Sequence, residues 1–336
     1  MGLDCRPGSS HPGAIARPGS GARRRERLRG GDAGPRRADR KGVLVKVGLF
    51  VPLVGPVATP TYLETLGHEA EARGFDSLWV AEHVVLFDEY DSRYPYALDG
   101  RIPAGGEAGF LDTWTALAFL AACTTKIRLG SGICLVPQRN PVYTAKEVAT
   151  VDVLSGGRVD FGVGVGWLAE EFRAVDAPFE RRGARCRAYL EVIRRLWCDE
   201  VSAYEGEFYT LEPCRQYPKC VQKPHPPIVF GGESEAALRR VADLGQGWYG
   251  FNLTPVQFAE RLARLHELLD KRDRRHDEVE VSVSPYLLDC DRESLAAYRD
   301  AGADQVILTT VARDEDDLRR TLDDLAEEML VQGPAF

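Results

Sequence analysis

The segment Arg128–Trp167 reads RLGSGICLVPQRNPVYTAKEVATVDVLSGGRVDFGVGVGW. It contains two short, glycine-rich apolar runs that flank a helical pattern. The β-branched residues of each run and the glycines that close it predict two strands, each ending at a loop. Because glycine has no Cβ, the backbone at such a strand end can approach a flat ligand closely. The segment therefore predicts a strand–helix–strand unit whose strand ends form a ligand-facing wall.

The same alternation extends in both directions from this segment. The strand-like runs are Val45–Pro52, Ser77–His83, Arg128–Pro137, Arg158–Gly166, Ile228–Gly232, Gly247–Phe251, Val279–Leu288 and Gln305–Val311. The helical patterns are Thr61–Arg73, Thr113–Cys123, Pro141–Leu154, Arg182–Trp197, Ser234–Leu244, Pro255–Arg272, Arg292–Ala301 and Asp314–Leu330. Eight alternating pairs predict an α/β protein with a (β/α)8 TIM barrel. The alternative is a doubly wound open sheet, which usually has fewer units.

Two longer stretches predict insertions into the barrel. Val84–Leu111 follows the second strand, and Val201–Pro227 follows the fourth helix. The second stretch contains YEGEFYTL, a pattern typical of a hairpin. We expect the first insertion to act as a lid that shapes substrate choice.

Charge divides the chain into two parts. The formal charge of −8 consists of +7 in residues 1–44 and −15 in the remainder. The strong negative charge of the remainder argues against a surface that binds nucleic acid. No apolar run approaches the ~20 residues that a membrane helix needs. Residues 1–44 hold almost no apolar side chains, which predicts a disordered basic leader or a mis-called start, with the native start near Val43 or Val45. The barrel is then expected to span residues 45–336.

The placement of the eight cysteines, described below, is that of free thiols and fits a reducing compartment. None forms a C-x-x-C pair, and no nearby histidine completes a zinc pattern, so we predict no metal site. Several cysteines lie in apolar or helical runs, as buried free thiols do. We therefore expect a cytoplasmic protein whose partner is a small-molecule substrate.

In a barrel of this kind, functional residues lie at the C-terminal ends of the strands. Glu82-His83 closes the second strand, and a histidine there can exchange a proton near neutral pH with Glu82 as its partner or as a second acid. The alternative is a capped strand end with a solvated histidine. Trp167 lies just beyond a strand end and is the best pocket candidate among the tryptophans.

Glycines close two further predicted strands. Gly130-Ser131-Gly132-Ile133 predicts either backbone lying against a ring system or a β-bulge. Gly164-Val165-Gly166 follows the next strand, but its spacing is not that of a dinucleotide fingerprint.

The sequence Phe230-Gly231-Gly232-Glu233-Ser234 precedes a helix and predicts an anion site at the helix N-terminus. Plain capping by Ser234 is the alternative, and both can hold together. An inward Glu233 carboxylate would repel a phosphate, so backbone contacts are expected at that position.

These residues together resemble the luciferase-like monooxygenase superfamily, and within it the coenzyme F420-dependent oxidoreductase branch. The phrases that carry the resemblance are VKVGLFVP, AEH, DSRYPYALDG, RNPVYTAKEVATVDVLSGGRVDFGVGVGWLAEEF, KPHPPIVFGGESEAALRR and LGQGWYG. Each is weak alone, but together they cover most of the chain from Val45 to Phe251.

The resemblance implies a deazaflavin or flavin lying across the strand ends of a (β/α)8 barrel. Its ring would lie against a bulge with a non-prolyl cis peptide at Gly132–Ile133, and His83 and Glu82 would be catalytic. The cofactor-binding residues predicted in this way are Phe50, Pro52, Glu82, His83, Ser131, Gly132, Ile133, Asn140, Val165, Gly166, Trp167, Gly231, Gly232, Glu233 and Ser234. Gly231, Gly232 and Ser234 would hold the cofactor phosphate. A homodimer is also expected from the resemblance.

One position departs from the pattern of the family's sugar-phosphate dehydrogenases. Trp167 stands where those enzymes have an acidic residue, which favours a less polar substrate. The predicted function is an F420-dependent oxidoreductase that transfers a hydride between the deazaflavin and a small organic substrate. The alternatives are an FMNH2-dependent monooxygenase that uses O2, and a non-catalytic barrel that binds a cofactor or a partner.

Overall fold

The computed structural model describes residues 44–104 and 108–330. Eight parallel strands form a closed barrel in which the first strand pairs with both the second and the last. These strands are β1 (Lys46–Val51), β2 (Ser77–Val80), β3 (Arg128–Ser131), β4 (Val159–Val163), β7 (Ile228–Gly231), β8 (Gly247–Phe251), β9 (Glu280–Ser284) and β10 (Gln305–Thr309). The predicted (β/α)8 TIM barrel is confirmed. The predictions for the N-terminal segment fall almost wholly outside the described residues.

Helices connect the strands on the outside of the barrel. They are α1 (Pro60–Arg73), α2 (Thr113–Cys123), α3 (Pro141–Leu154), α4 (Ala169–Ala174), α5 (Arg182–Cys198), α6 (Glu235–Leu244), α7 (Pro255–Asp270), α8 (Arg292–Asp300) and α9 (Glu315–Leu325). Most begin at a capping side chain, such as Thr59 on α1 and Thr254 on α7, which satisfies backbone N–H groups that the first helical turn leaves free. Among these described α-helices, the short α4 alone has no counterpart in the predicted pattern. Across residues 44–104 and 108–330, no helix is long and apolar enough to cross a membrane.

Both predicted insertions lie outside the barrel strands. The connection between β2 and α2 has no helix or strand in its described residues, apart from an isolated bridge between Val54 and Phe110. The connection between α5 and β7 contains the antiparallel hairpin of β5 (Ser202–Glu205) and β6 (Thr210–Cys214). Buried Asp152 of α3 holds this connection in place, because its carboxylate accepts hydrogen bonds from the backbone N–H groups of Val221 and Gln222.

A second apolar cluster fills the inside of the barrel, separate from the core between the strands and the helices. Its largest member is Trp79, whose indole N–H donates to the Ser77 hydroxyl at 2.8 Å. A Cβ on Gly130 would lie 2.4 Å from this indole, so the glycine of β3 makes room for Trp79 rather than for a ligand. A Cβ on Gly162 would lie 1.8 Å from the carbonyl oxygen of Ser131, which keeps β3 and β4 close together. In the interior below the strand ends, Trp79 thus lies in close contact with the backbone of β3.

Candidate active site

A cavity of about 480 Å³ lies at the C-terminal ends of the barrel strands, above Trp79. The structure brings twelve of the fifteen sequence-predicted site residues to its wall. They are Phe50, Pro52, Glu82, His83, Gly132, Ile133, Val165, Gly166, Trp167, Gly231, Gly232 and Ser234. Residues of the first insertion, including Tyr94, Tyr96, Ile102 and Phe110, cover the cavity. The structure therefore brings these residues together at one place, and their roles toward a ligand stay predictions.

The other three predicted residues do not line the cavity. Ser131 is fully buried, and its hydroxyl donates to the carbonyl oxygen of Gly162 at 2.8 Å, which joins β3 to β4. Asn140 caps α3, because its Oδ1 accepts from the backbone N–H of Val142 at 2.9 Å. Glu233 turns away from the start of α6 and toward the insertion.

The floor of the cavity is the loop that follows β3. The peptide bond between Gly132 and Ile133 is cis, as the resemblance implies. The Ile133 side chain lies in a notch that two neighbouring glycines leave open: a Cβ on Gly164 would lie 2.2 Å from its Cδ1, and a Cβ on Gly231 would lie 2.7 Å from it. These two glycines are therefore required by the branched side chain that forms the floor.

His83 is held at the cavity wall by a carboxylate that the sequence reading missed. Its Nδ1 lies 3.3 Å from the carboxylate of Glu171, whose side chain is fully buried. That carboxylate also accepts from the backbone N–H of Val84 at 2.7 Å and from the amide of Gln138 at 3.1 Å. Burial opposes ionisation of Glu171, but the hydrogen bond and charge of His83 together with these donors hold its pKa below the usual value. An ionised Glu171 accepts from Nδ1–H, which leaves Nε2 of a neutral imidazole as the proton acceptor.

Helix α4 explains why Glu171 escaped prediction. The pair Glu170-Glu171 stands only a few residues after Trp167, and this short helix turns the second carboxylate inward beneath His83. Two acidic residues just beyond a strand end, followed by the apolar Phe172, were the signal available in the sequence.

Glu82 presents a polar atom without a partner. Its Oε1 accepts from the backbone N–H of Leu135 at 3.0 Å and lies 3.4 Å from the Arg139 guanidinium, whereas Oε2 is buried with no hydrogen-bond partner among the described residues. Burial raises the pKa of Glu82, although Arg139 and the Leu135 N–H act in the opposite direction. Buried polar atoms are rarely left unpaired, so Oε2 fits a polar group of a bound ligand. The apolar floor and this orphaned oxygen together suit a ring system with polar edges.

Aromatic side chains from the insertion cover Trp167. The rings of Tyr94 and Tyr90 lie 5.2 and 5.7 Å from the Trp167 ring. The ring of His83 is 6.0 Å from it on the cavity side. Trp167 is thus a cavity aromatic, and it makes this part of the wall apolar.

Glu233 fastens the insertion to the barrel. Its Oε1 accepts from the backbone N–H of Phe251 at 2.8 Å, and its Oε2 accepts from the Tyr96 hydroxyl at 3.2 Å. The amide of Asn252 donates to the Tyr96 carbonyl at 3.1 Å and adds a second tie. Burial raises the pKa of Glu233 to about 7, against the lowering effect of its donors.

This raised pKa predicts a pH-dependent stability. The folded state binds the Glu233 proton more tightly than the unfolded state, so this group's stabilisation is largest below about pH 4.5 and is lost as pH rises through about 7. In urea denaturation between pH 5 and pH 8, Glu233→Gln should remove a decline on the order of 2 kcal/mol from the free energy of unfolding. Glu235→Gln is the matched control, since the ion pair with Arg264 lowers the pKa of that carboxyl to about 2 and it should add no slope in this range. Equal slopes for the wild type and Glu233→Gln would contradict the prediction.

The described residues contain no group of three or more His, Cys, Asp or Glu side chains placed to hold a metal ion.

The model of the luciferase-like monooxygenase family matches residues 40–333, so the chain belongs to this family. An uncharacterized protein of Mycobacterium tuberculosis is 32% identical over 265 residues, which cover 77% of this chain and 91% of that protein. The FMNH(2)-dependent dimethylsulfone monooxygenase of Pseudomonas putida is 30% identical over 210 residues, covering 61% of this chain and 57% of that enzyme. The structure of the coenzyme F420-dependent tetrahydromethanopterin reductase of Methanopyrus kandleri superposes with a TM-score of 0.68 at 18% identity, covering 86% of this chain and 99% of that one. Members of the family are oxidoreductases and monooxygenases. The F420-dependent enzyme shares the fold of this chain, and the FMNH2-dependent enzyme is similar to it in sequence.

Proposed function

We propose that this chain is a coenzyme F420-dependent oxidoreductase that transfers a hydride between the deazaflavin and a small organic substrate. The observation that carries the proposal is the His83–Glu171 pair at the cavity wall. Hydride transfer to a carbonyl, or from an alcohol, requires a proton to move at the neighbouring oxygen, and an oriented imidazole supplies that exchange.

Other residues of the cavity are assigned to cofactor binding and to proton transfer. A bound deazaflavin supplies the carbon that gives or receives the hydride. Ile133 and Gly132, which line the cavity, would support its ring. The unpaired Oε2 of Glu82 would accept a hydrogen bond from the ring, and Ser234 with the start of α6 would hold its phosphate. His83 Nε2 gives or takes the proton at the substrate oxygen.

The cover of the cavity favours an apolar substrate. Tyr94, Phe110 and Trp167 line the cavity together with His83, and their aromatic rings make this part of the wall apolar. Reactants that fill this space would displace water, and a dry site strengthens the interactions that orient them. We also expect a homodimer and a cytoplasmic location, as the family resemblance implies.

The second candidate is an FMNH2-dependent monooxygenase that uses O2. It is favoured by the 30% identity to the Pseudomonas putida enzyme, whose name states FMNH2 dependence. The same floor and the same orphaned Glu82 oxygen would accept an isoalloxazine ring.

Cofactor binding separates the two candidates. In fluorescence titrations of the ligand-free protein, we expect a Kd for F420 at least about tenfold lower than that for FMN, a difference of about 1.4 kcal/mol or more. Reduced F420 should then be oxidised only when an organic acceptor is added. Tighter binding of FMN, together with substrate-dependent oxygen consumption in the presence of FMNH2, would establish the second candidate instead.

A further inference from the structure

Two residues with hydroxyl groups line the cavity on the side where β8, β9 and β10 end. They are Tyr249 of β8 and Thr309, the last residue of β10. Ile307 of β10 belongs to the apolar cluster inside the barrel, and Thr309, two positions further on, lies on the same face of that strand. In the closed barrel, β8 stands directly opposite β2, the strand whose end carries His83. Tyr249 is therefore on the far side of the barrel from the proposed site of proton exchange.

The oxygens of these hydroxyl groups are buried without a hydrogen-bond partner among the described residues. The Oη of Tyr249 and the Oγ1 of Thr309 are both in this state, and so is the Oγ of Ser284 on the intervening β9. Ser284 lies close enough to Tyr249 to affect its pKa, but the two oxygens are not placed for a well-formed hydrogen bond. Buried hydroxyl groups are normally paired, because an unpaired one has lost its water without replacement. Unpaired hydroxyls on three adjacent strands therefore indicate a group that binds there.

This side of the cavity is uncharged. Among the described residues that line the cavity, the side chains that ionise near neutral pH or carry a charge are Glu82, His83 and Arg240, from the end of β2 and from α6. Burial holds the pKa of Tyr249 well above its usual value, so its hydroxyl keeps its proton and can donate it to a hydrogen bond. Hydroxyl groups that both donate and accept suit a carbonyl or alcohol oxygen, whereas a buried charge would find no counter-charge on these strands.

Exposed apolar side chains continue from these strands to the mouth of the cavity. Leu287 follows β9 and Val311 follows β10, and both line the cavity although they are 51% and 68% exposed. Leu288, beside them in sequence, is 36% exposed. Neighbouring large apolar side chains left in water at the mouth of a cavity are typical of a surface that a ligand covers.

We propose that Tyr249 and Thr309 bind an uncharged carbonyl or hydroxyl oxygen of the organic substrate, while the apolar body of the substrate lies against Leu287 and Val311. The proposal rests on the proposed function for the reaction at His83. Because β8 and β2 are on opposite sides of the barrel, the oxygen bound by Tyr249 is not the one that exchanges a proton with His83. The substrate class is therefore a neutral, mainly apolar molecule with one oxygen at the reacting carbon and a second oxygen further along it.

Two probes that differ only at the oxygen test the hydroxyl site in the ligand-free protein. Cyclohexanone and methylenecyclohexane have nearly the same shape, but only the ketone accepts a hydrogen bond. Tyr249→Phe and Thr309→Val should each raise the Kd of cyclohexanone by about 2- to 10-fold, the value of one uncharged hydrogen bond, and leave the Kd of methylenecyclohexane unchanged. Ligand-observed NMR titrations measure both constants. Thr310→Val is the matched control, because the Thr310 hydroxyl is also buried and unpaired but Thr310 is not among the described residues of the cavity wall.

The stability of the same variants is an independent measurement. Removing a hydroxyl group that has no partner in the protein should leave the Tm of the ligand-free protein unchanged or raise it. Weaker ketone binding without a loss of stability is the result expected for residues that serve a ligand. A fall in Tm in both Tyr249→Phe and Thr309→Val would mean that the two hydroxyls serve the fold, for example through a trapped water, and would overturn the proposal.

The other outcomes distinguish this proposal from the proposed function. If His83→Ala weakens cyclohexanone binding and neither hydroxyl variant does, the oxygen binds at His83 and the proposal is wrong. If Tyr249→Phe and Thr309→Val weaken the binding of F420 or FMN, the hydroxyls serve the cofactor, so the proposal is wrong while the proposed function stands. If neither cofactor binds the wild type, the proposed function fails, but a ketone preference that both hydroxyl variants lose would still support the oxygen site. Equal Kd values for the two probes in the wild type would refute it.

Discussion

Replacing His83 by alanine is expected to lower kcat by about 10²- to 10⁴-fold, the range over which a positioned acid or base contributes. Only the proton exchange is removed, so the Kd of the cofactor should change little. The measurement is kcat under steady-state conditions with the substrate that supports turnover in the wild type. His68→Ala, on the exposed face of α1, is the matched control and should leave kcat unchanged.

Glu171→Gln tests whether Glu171 acts by positioning His83, without taking part in the proton transfer itself. It should lower kcat by about 10- to 100-fold, the value of one charge-assisted hydrogen bond, and leave KM nearly constant. Because Glu171 acts only through His83, the double variant His83→Ala/Glu171→Gln should be no slower than His83→Ala alone. A further fall in kcat in the double variant would mean that Glu171 has a structural role instead. Full activity in His83→Ala would contradict the mechanism itself.

A single methyl group at Gly164 is expected to weaken cofactor binding by about 10- to 100-fold. Its Cβ would lie 2.2 Å from Cδ1 and 2.8 Å from Cγ1 of Ile133, so the floor of the cavity must move. Overpacking of this kind costs about 1–3 kcal/mol. Titration of Gly164→Ala with F420 and FMN measures the effect.

Two variants identify the cause of that loss. The double variant Gly164→Ala/Ile133→Ala removes the clashing side chain, so it should bind the cofactor no more weakly than Ile133→Ala alone. Gly109→Ala is the matched control, since no described atom lies within 4 Å of the Cβ it would add. If the double variant binds more weakly than Ile133→Ala, the loss does not act through Ile133 and the description of the floor is wrong.

The fold could be predicted because its determinants are local. Apolar runs that end at glycine alternate along the chain with helices that begin at a capping residue, such as Thr59, Asn140 or Thr254. Eight such strand–helix units are compatible with few folds other than the (β/α)8 barrel. The strand-end rule and the family resemblance together point to twelve residues that line the cavity. Asn140 and Ser131 lie off the cavity because their side chains satisfy neighbouring backbone groups.

The partners of those site residues could not be predicted from local patterns. Glu171 reaches His83 across 88 positions, and Glu233 reaches Tyr96 across 137. No periodicity relates residues so far apart. Arg240 has no local signal in the sequence, whereas in the structure it lines the cavity. Gly130 belongs to a run that predicts either backbone against a ring system or a β-bulge, whereas in the structure it accommodates Trp79.

The position of Trp79 inside the barrel has a kinetic consequence. Trp79 and Ile307 fill the barrel beneath the cavity, and Tyr249 lies both in this cluster and in the cavity wall. We therefore expect reactants to enter past the insertion. This route would impose an order of addition: the molecule that lies against Ile133 would enter first and leave last, with its co-reactant above it. Initial-rate patterns for this enzyme should therefore be those of an ordered sequence, with the first ligand retained through many turnovers whenever it is regenerated in place.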